Sequence, residues 1–134
     1  MDTIAILYVF ATFGILDTAY LIWHLIQGTN VACPFFPDAW CHTVQHSSQS
    51  RTLGVPNSIA GFLMYAGIIA SLALWQAGLF TGFIGYVLLA LVSIGFLFSL
   101  YFMYVQIFVL RALCTWCVIS FINFSVMAWA VWLR

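Results

Sequence analysis

The sequence contains very few charged residues and, within that small set, no lysine and no glutamate. Charged residues make up 4% of its 134 positions, whereas a soluble domain carries about 25%. A chain that is 66% hydrophobic and so poor in charge cannot cover a folded core with polar surface, which excludes a soluble globular protein. The formal net charge is zero and no basic run is present, so nothing indicates nucleic-acid binding.

The features of a cleaved signal peptide are also missing. The N-terminus lacks a charged n-region and an A-x-A-like cleavage site, so we predict that the first apolar segment is retained as a helix. Apolar stretches of about 20 residues can cross a hydrocarbon core of about 30 Å. We predict four such helices, at about residues 4–26, 57–77, 83–108 and 113–133, and a polar loop at about residues 28–56. The predicted fold class is an all-α integral membrane protein, with one four-helix transmembrane domain over residues 1–134.

The four cysteines form two pairs along the chain. Cys33 and Cys41 lie in the predicted loop, and Cys114 and Cys117 lie at the start of the fourth predicted helix. Two membrane crossings separate the loop from the junction before the fourth helix, so both pairs are expected on the same side of the membrane. Both chain termini are expected on the opposite side.

The sequence CTWC at residues 114–117 has the chemistry of a redox pair. A cysteine reacts as its thiolate, which is favoured at a helix N-terminus and beside a cation such as Arg111, three residues upstream. Cys114 and Cys117 are three residues apart and share a helix face, so their sulfurs can close and reopen a disulfide. From the residues alone, a structural disulfide and two unrelated core thiols are the alternatives.

The loop pair allows two further interpretations. Cys33 and Cys41 could form a static disulfide that staples the loop. They could instead bind zinc together with His42 and His46, because all four are ligands of suitable type. The seven residues between the two cysteines exceed the usual two to four of such sites. A zinc-stabilised, non-catalytic membrane protein is therefore an alternative of another class.

One carboxylate, Asp17, is predicted to lie in the middle of the first helix. An ionisable group at that depth in a membrane is costly and is by default a candidate for function. The alternative is a protonated or paired carboxyl that fixes helix packing, and on the sequence alone we favour this alternative.

Four stretches of the sequence occur in an order that is typical of a known family. They are GILDTAYL in the first helix, the loop cysteines with a serine-containing stretch after them, LGVPNSIAGFLMY leading into the second helix, and CTWC opening the fourth. This ordered set spans nearly the whole chain and resembles the vitamin K epoxide reductase family of quinone-coupled thiol oxidoreductases. The resemblance implies a four-helix bundle around a quinone pocket, capped by the cysteine loop on the extracytoplasmic side.

The resemblance also implies a role for individual residues. Cys117 resembles the cysteine that reacts with the quinone ring, and Cys114 resembles its partner, which exchanges with Cys41 of the loop. Cys33 resembles the outer cysteine, which exchanges with a thioredoxin-like protein. Asn57 resembles the asparagine whose side chain hydrogen-bonds a quinone carbonyl.

The resemblance also implies that two further residues belong to the quinone site or support it. Ser47, in a run with Ser48 and Ser50, resembles the loop serine that orders the shuttle cysteine. Phe121 stands four residues after the second CxxC cysteine, where animal members carry a tyrosine that gives a second hydroxyl contact to the quinone. This departure disfavours epoxide reduction relative to quinone reduction.

The implied function is that of an enzyme, a quinone-dependent thiol-disulfide oxidoreductase. It would oxidise a thioredoxin-like partner and reduce a membrane quinone of the ubiquinone, menaquinone or vitamin K type. Vitamin K quinone or epoxide reduction is the alternative within the same chemistry. Many prokaryotic members carry a fused thioredoxin-like domain, and this sequence ends at Arg134, so a separate partner protein is expected. No metal is predicted, and the bundle can work as a monomer.

We predict the side of the membrane that the loop faces from its disulfide chemistry rather than from the distribution of charge. Arg51 and Arg111 fall on the loop side and Arg134 on the other, a count that by itself favours a cytoplasmic loop. Disulfide formation belongs in an oxidising compartment, and this requirement outweighs three charges. We therefore predict a prokaryotic cell membrane or the endoplasmic reticulum membrane, with the cysteine loop facing the periplasm, the exterior or the lumen.

Overall fold

A computed structural model describes residues 3–28, 33, 35–45, 51–52, 55–79 and 81–133. In chain order its elements are α1 (Thr3–Gln27), α2 (Asp38–Gln45), β1 (Arg51–Thr52), β2 (Val55–Pro56), α3 (Asn57–Gln76), α4 (Thr81–Tyr104), a π-helical segment (Val105–Leu110) and α5 (Thr115–Trp132). Within the described residues, four helices are long and apolar enough to cross a membrane: α1, α3, α4 with its π-helical extension, and α5. The predicted all-α membrane fold with four spanning helices is confirmed.

The ends of α3 show how local sequence sets the helix bounds. Pro56 directly precedes the helix, where its missing N–H removes no helical hydrogen bond. At the other end Gly78 has a φ of 79°, a left-handed conformation that glycine adopts without a Cβ clash. The N–H groups of Gly78 and Leu79 bond to the carbonyls of Trp75 and Leu74, each at 3.0 Å. This is a Schellman motif, and it ends α3 just before the turn into α4.

The four long helices form a bundle in which α1 and α4 each pack against both α3 and α5. At its centre the ring of Tyr65 stacks on the ring of Phe124, with 4.7 Å between the centroids. A Cβ on Gly14 of α1 would collide with the Tyr65 ring, and a Cβ on Gly95 of α4 would collide with the Phe124 ring. These two glycines therefore allow a pair of aromatic rings to fill the space between α1 and α4.

The outer faces of the bundle are apolar as well. Leu16, Leu63, Phe83 and Leu97 are each more than half exposed. In water such side chains would form large hydrophobic patches, which soluble monomers rarely present. In a bilayer, lipid tails cover them, so the surface agrees with the composition.

The predicted loop between the first two spanning helices contains two elements that were not predicted from the sequence. They are α2 and an antiparallel pair of short strands, β1 and β2. With 8 residues, α2 is shorter than the roughly 12–15 residues that an isolated helix needs in water. Its stability therefore depends on tertiary burial, and its Cys41 and Val44 are 0% and 1% exposed.

Candidate active site

The loop cysteines form the outer pair of the site. Cys33 and Cys41 are joined by a disulfide, with their Cα atoms 6.0 Å apart, which is within the usual range. Sulfurs joined in this way carry no thiolate charge and are not zinc ligands. Among the described residues, no group of three or more His, Cys, Asp or Glu side chains could hold a metal ion. His46, one ligand of the zinc alternative, lies outside the described residues.

The outer pair packs directly against the other two cysteines. Six buried residues form one apolar cluster where the loop meets the bundle: Cys33, Cys41, Val44, Phe102, Ala112 and Cys114. Trp116 and Cys117 pack against this cluster. The structure thus brings together the four cysteines that were predicted as catalytic, from two regions that are about 80 residues apart in the sequence.

Cys114 and Cys117 form the inner pair at the start of α5, and neither is joined in a disulfide. Cys114 is the N-cap, with an extended backbone, and its carbonyl accepts the first helical hydrogen bond from the N–H of Val118 at 3.0 Å. Cys117 follows within the first turn, and its thiol hydrogen-bonds to Cys114. Between them, the Thr115 hydroxyl lies 3.5 Å from Sγ of Cys33. Because a disulfide sulfur has no proton, this hydroxyl is the donor, and its bond connects the inner pair's turn to the outer disulfide.

A buried amide that was not predicted from the sequence holds this turn in place. Gln106, in the π-helical segment, is 0% exposed, and its Oε1 accepts a hydrogen bond from the N–H of Cys114 at 2.9 Å. Its backbone carbonyl accepts the N–H of Ala112 at 3.0 Å. The chain folds back in this way because Arg111, with a φ of 53°, takes a left-handed conformation. The only signal in the sequence was a lone amide in the apolar run VQIFVL.

A cavity of about 260 Å³ lies inside the bundle, and Cys117 forms part of its wall. Residues of all four spanning helices line it. Its volume is close to the lower end of the range for small-molecule sites, about 300–1,000 Å³. The aromatic side chains of Phe98, Phe102, Trp116 and Phe124 contribute to a mainly apolar wall with few polar groups. A flat ring that carries carbonyl oxygens, as a quinone does, fits such a wall.

The other residues of the predicted quinone site do not all lie in the cavity wall. Asn57, the first residue of α3, lines the cavity. Phe121 does not line it, because its ring stacks on Phe96 of α4 with 6.3 Å between the centroids. The neighbouring Ser120 lines the cavity and brings a hydroxyl to the wall. Ser47 lies outside the described residues.

Asp17 of α1 lies in the wall of the same cavity. It is 5% exposed, and among the described residues neither of its carboxyl oxygens has a hydrogen-bond partner. It also lines a second cavity between α1 and α5, together with Asn123, whose Nδ2 has no hydrogen-bond partner in the described part of the chain either. The sequence favoured a protonated or paired carboxyl that fixes helix packing, and the described residues provide no hydrogen-bonded partner for the paired form.

A disulfide packed against a reduced dithiol, beside a cavity within a membrane bundle, is the arrangement expected of a membrane thiol oxidoreductase. The chain belongs to the vitamin K epoxide reductase family, whose sequence profile matches residues 5–132. The resemblance drawn from the sequence is thereby confirmed over nearly the whole chain. Membership identifies the protein as an integral membrane protein of an oxidoreductase family that links thiol chemistry to quinones. In a comparison with curated proteins, no individual sequence matches the chain.

Proposed function

We propose that the protein transfers electrons from a separate thioredoxin-like thiol protein to a membrane quinone, through the outer pair and then the inner pair. The observation that carries this proposal is one continuous series of contacts. The Thr115 hydroxyl bonds to Cys33 of the outer disulfide, and Cys117 of the same helical turn lines the cavity. The net products are a disulfide in the partner protein and a quinol in the membrane.

Electrons enter at Cys33 in this proposal, since Cys33 is 6% exposed and Cys41 is 0% exposed. A thiolate of the partner attacks Sγ of Cys33, forms a mixed disulfide and releases Cys41 as a thiolate. The partner's second thiolate then attacks the mixed disulfide. The partner leaves oxidised, and both cysteines of the outer pair are reduced.

The second exchange passes the electrons inward. Cys41 attacks Cys114 of an inner disulfide and releases Cys117 as a thiolate. Cys33 then attacks Cys41 and releases Cys114, which restores the outer disulfide. Cys114 and Cys117 take up the two protons that the loop thiols give up, so the inner pair becomes a dithiol. The protein now has an oxidised outer pair and a reduced inner pair, and this combination is the one seen in the structure. Burial of the cysteines in one cluster supports direct exchange between the pairs.

The cavity is where the inner pair gives up its electrons. The quinone is the substrate there and supplies the two-electron acceptor chemistry. Cys117 lines the cavity and releases the electron pair as Cys114 closes the inner disulfide. Asn57 lines the same wall. In the proposed complex its side-chain N–H donates a hydrogen bond to a carbonyl oxygen of the quinone. The apolar rings of the wall exclude water, so the reduced inner pair is protected from soluble oxidants.

The test is quinone reduction by purified protein in detergent, supplied with a reduced thioredoxin-like protein. We expect Cys33→Ala, Cys41→Ala, Cys114→Ala and Cys117→Ala each to abolish it. A small dithiol that reaches the inner pair directly should rescue the two loop variants and neither of the others. Thr43→Ala is the matched control on α2, because the Thr43 hydroxyl is exposed and, within the described part of the chain, bonds only to a carbonyl of its own helix. Full activity of either inner-pair variant would refute the relay.

A further inference from the structure

Reduction of a quinone by a dithiol moves protons as well as electrons. Two S–H bonds break, one S–S bond forms and two O–H bonds form, so two protons must pass from sulfur to oxygen inside the bundle. The cavity wall offers mostly hydrocarbon, with a few hydroxyls and an amide that are weak acids and bases. Within the described wall, Asp17 is the sole carboxyl, and no histidine is present.

The position of Asp17 suits proton transfer. It shares the cavity with Cys117 and lies close enough to Cys114 and Cys117 to interact electrostatically with both thiols. Tyr65, the other titratable group that interacts with it, is hydrogen-bonded to Ser120 at 2.7 Å. The two carboxyl oxygens have no hydrogen-bond partner among the described residues, so they are free to bond to a ligand in the cavity. An ionisable group in a spanning helix is costly, and proton relays are one of its established uses.

We propose that Asp17 is the catalytic acid and base that carries a proton from the inner pair to the bound quinone; this inference rests on the function proposed above. Protonated Asp17 donates its proton to one carbonyl oxygen as the electron pair leaves the inner pair. The Asp17 carboxylate then accepts the proton that Cys114 loses when the disulfide closes. The proton of Cys117 goes to the second oxygen. Asp17 ends in its starting state, so the step needs no other acid or base.

The first experiment compares Asp17→Asn with wild type in three separate steps. Asparagine keeps the size and polarity of the side chain but has no transferable carboxyl proton. Exchange between the outer and inner pairs, followed by thiol alkylation, should be unchanged. Quinone affinity, followed by tryptophan fluorescence because Trp116 lines the cavity, should change far less than the rate of quinol formation. Single-turnover quinol formation should slow by about 10²- to 10⁴-fold, the usual contribution of general acid–base catalysis.

Asp38→Asn is the matched control, because it makes the same chemical change at the first residue of α2, outside the four membrane-spanning helices. It should leave quinol formation at the wild-type rate. In this background, ¹³C-aspartate labelling should reveal an infrared band of a protonated carboxyl that changes when quinone binds to the reduced inner pair. Asp17→Glu, which retains an acid, should recover part of the rate lost in Asp17→Asn.

Three results would overturn the proposal. The first is a wild-type rate of quinol formation in Asp17→Asn. The second is a loss of quinone binding in that variant equal to its loss of rate, since Asp17 would then only shape the cavity. The third is a labelled infrared spectrum without a responding carboxyl band, which decides the matter even if Asp17→Asn does not fold. Failure of the wild-type inner pair to form quinol would instead refute the proposed function itself, and with it this role.

Discussion

Replacing Gln106 with leucine is expected to destabilise the start of α5 and to slow exchange at the inner pair. The substitution removes the Oε1 that accepts the N–H of Cys114 at 2.9 Å. The first N–H groups of a helix have no acceptor within the helix, so no other helical carbonyl can replace it. Both residues are 0% exposed, and water cannot reach the N–H that is left.

The size of the effect follows from that burial. A buried donor left without a partner costs about 1–3 kcal/mol. The lost contacts of the amide's Nε2 add little to this cost, because among the described residues they are long, 3.5 Å to the Phe102 carbonyl and 3.7 Å to the Met103 sulfur. If the backbone of Cys114 rotates so that its N–H reaches another acceptor, the population of molecules with the first turn of α5 in its wild-type position falls by about 5- to 150-fold. The exchange rate should then fall in the same proportion.

Two measurements check this prediction: thermal unfolding in detergent, and the rate of inner-pair reduction by the outer pair, read by alkylation of Cys117. Gln76→Leu is the matched control, since Gln76 accepts a hydrogen bond from the Tyr8 hydroxyl at an exposed position. That variant should differ from wild type by no more than about 0.5 kcal/mol. If Gln106→Leu and Gln76→Leu behave alike in both measurements, the hydrogen bond to Cys114 does not position the inner pair.

Two smaller changes test the contacts on either side of the inner pair. Thr115→Val removes the hydroxyl donor to Cys33 while keeping the shape of the side chain, so exchange between the pairs should slow by roughly 2- to 10-fold, the equivalent of one ordinary hydrogen bond; an unchanged alkylation rate would contradict this. Gly95→Ala forces a Cβ against the Phe124 ring and should lower the free energy of unfolding by about 1–3 kcal/mol. Gly85→Ala, on the same helix but with open space at its Cβ, should raise it by about 0.5–1 kcal/mol, and equal effects at both glycines would refute the packing argument.

The spanning helices could be predicted because a bilayer requires about 20 apolar residues in succession, and such runs are visible in the sequence. The predicted bounds of 57–77 and 113–133 differ by at most two residues from those of α3 and α5. The third helix was predicted at 83–108, whereas helical structure begins at Thr81 and continues to Leu110. The short α2 was not predicted because it has no long apolar pattern. It is stabilised instead by the burial of its cysteine against the bundle.

The roles of Gln106 and the orientation of Asp17 could not be predicted for a different reason. A spanning helix is apolar on all sides, so its sequence has no polar face that would indicate how it is rotated in the bundle. Whether a lone polar side chain faces lipid, the core or a cavity is then decided by packing. The position of Gln106 also depends on the left-handed turn at Arg111. Glycine usually marks such a turn in a sequence, and here the residue is an arginine.

The first turn of α5 explains why the dithiol lies at a helix terminus rather than deeper in the membrane. Successive helical residues are rotated by about 100°, so Thr115 and Cys117 point in clearly different directions, one to Cys33 and the other to the cavity. Cys114 and Cys117 are three residues apart and stay on one face, where their sulfurs can be joined. A dithiol one or two turns further along α5 would reach the cavity but lose the outer disulfide. A dithiol in the loop would reach a soluble partner but lose the cavity. In the proposed relay, only the end of the helix lets one pair of sulfurs exchange with both.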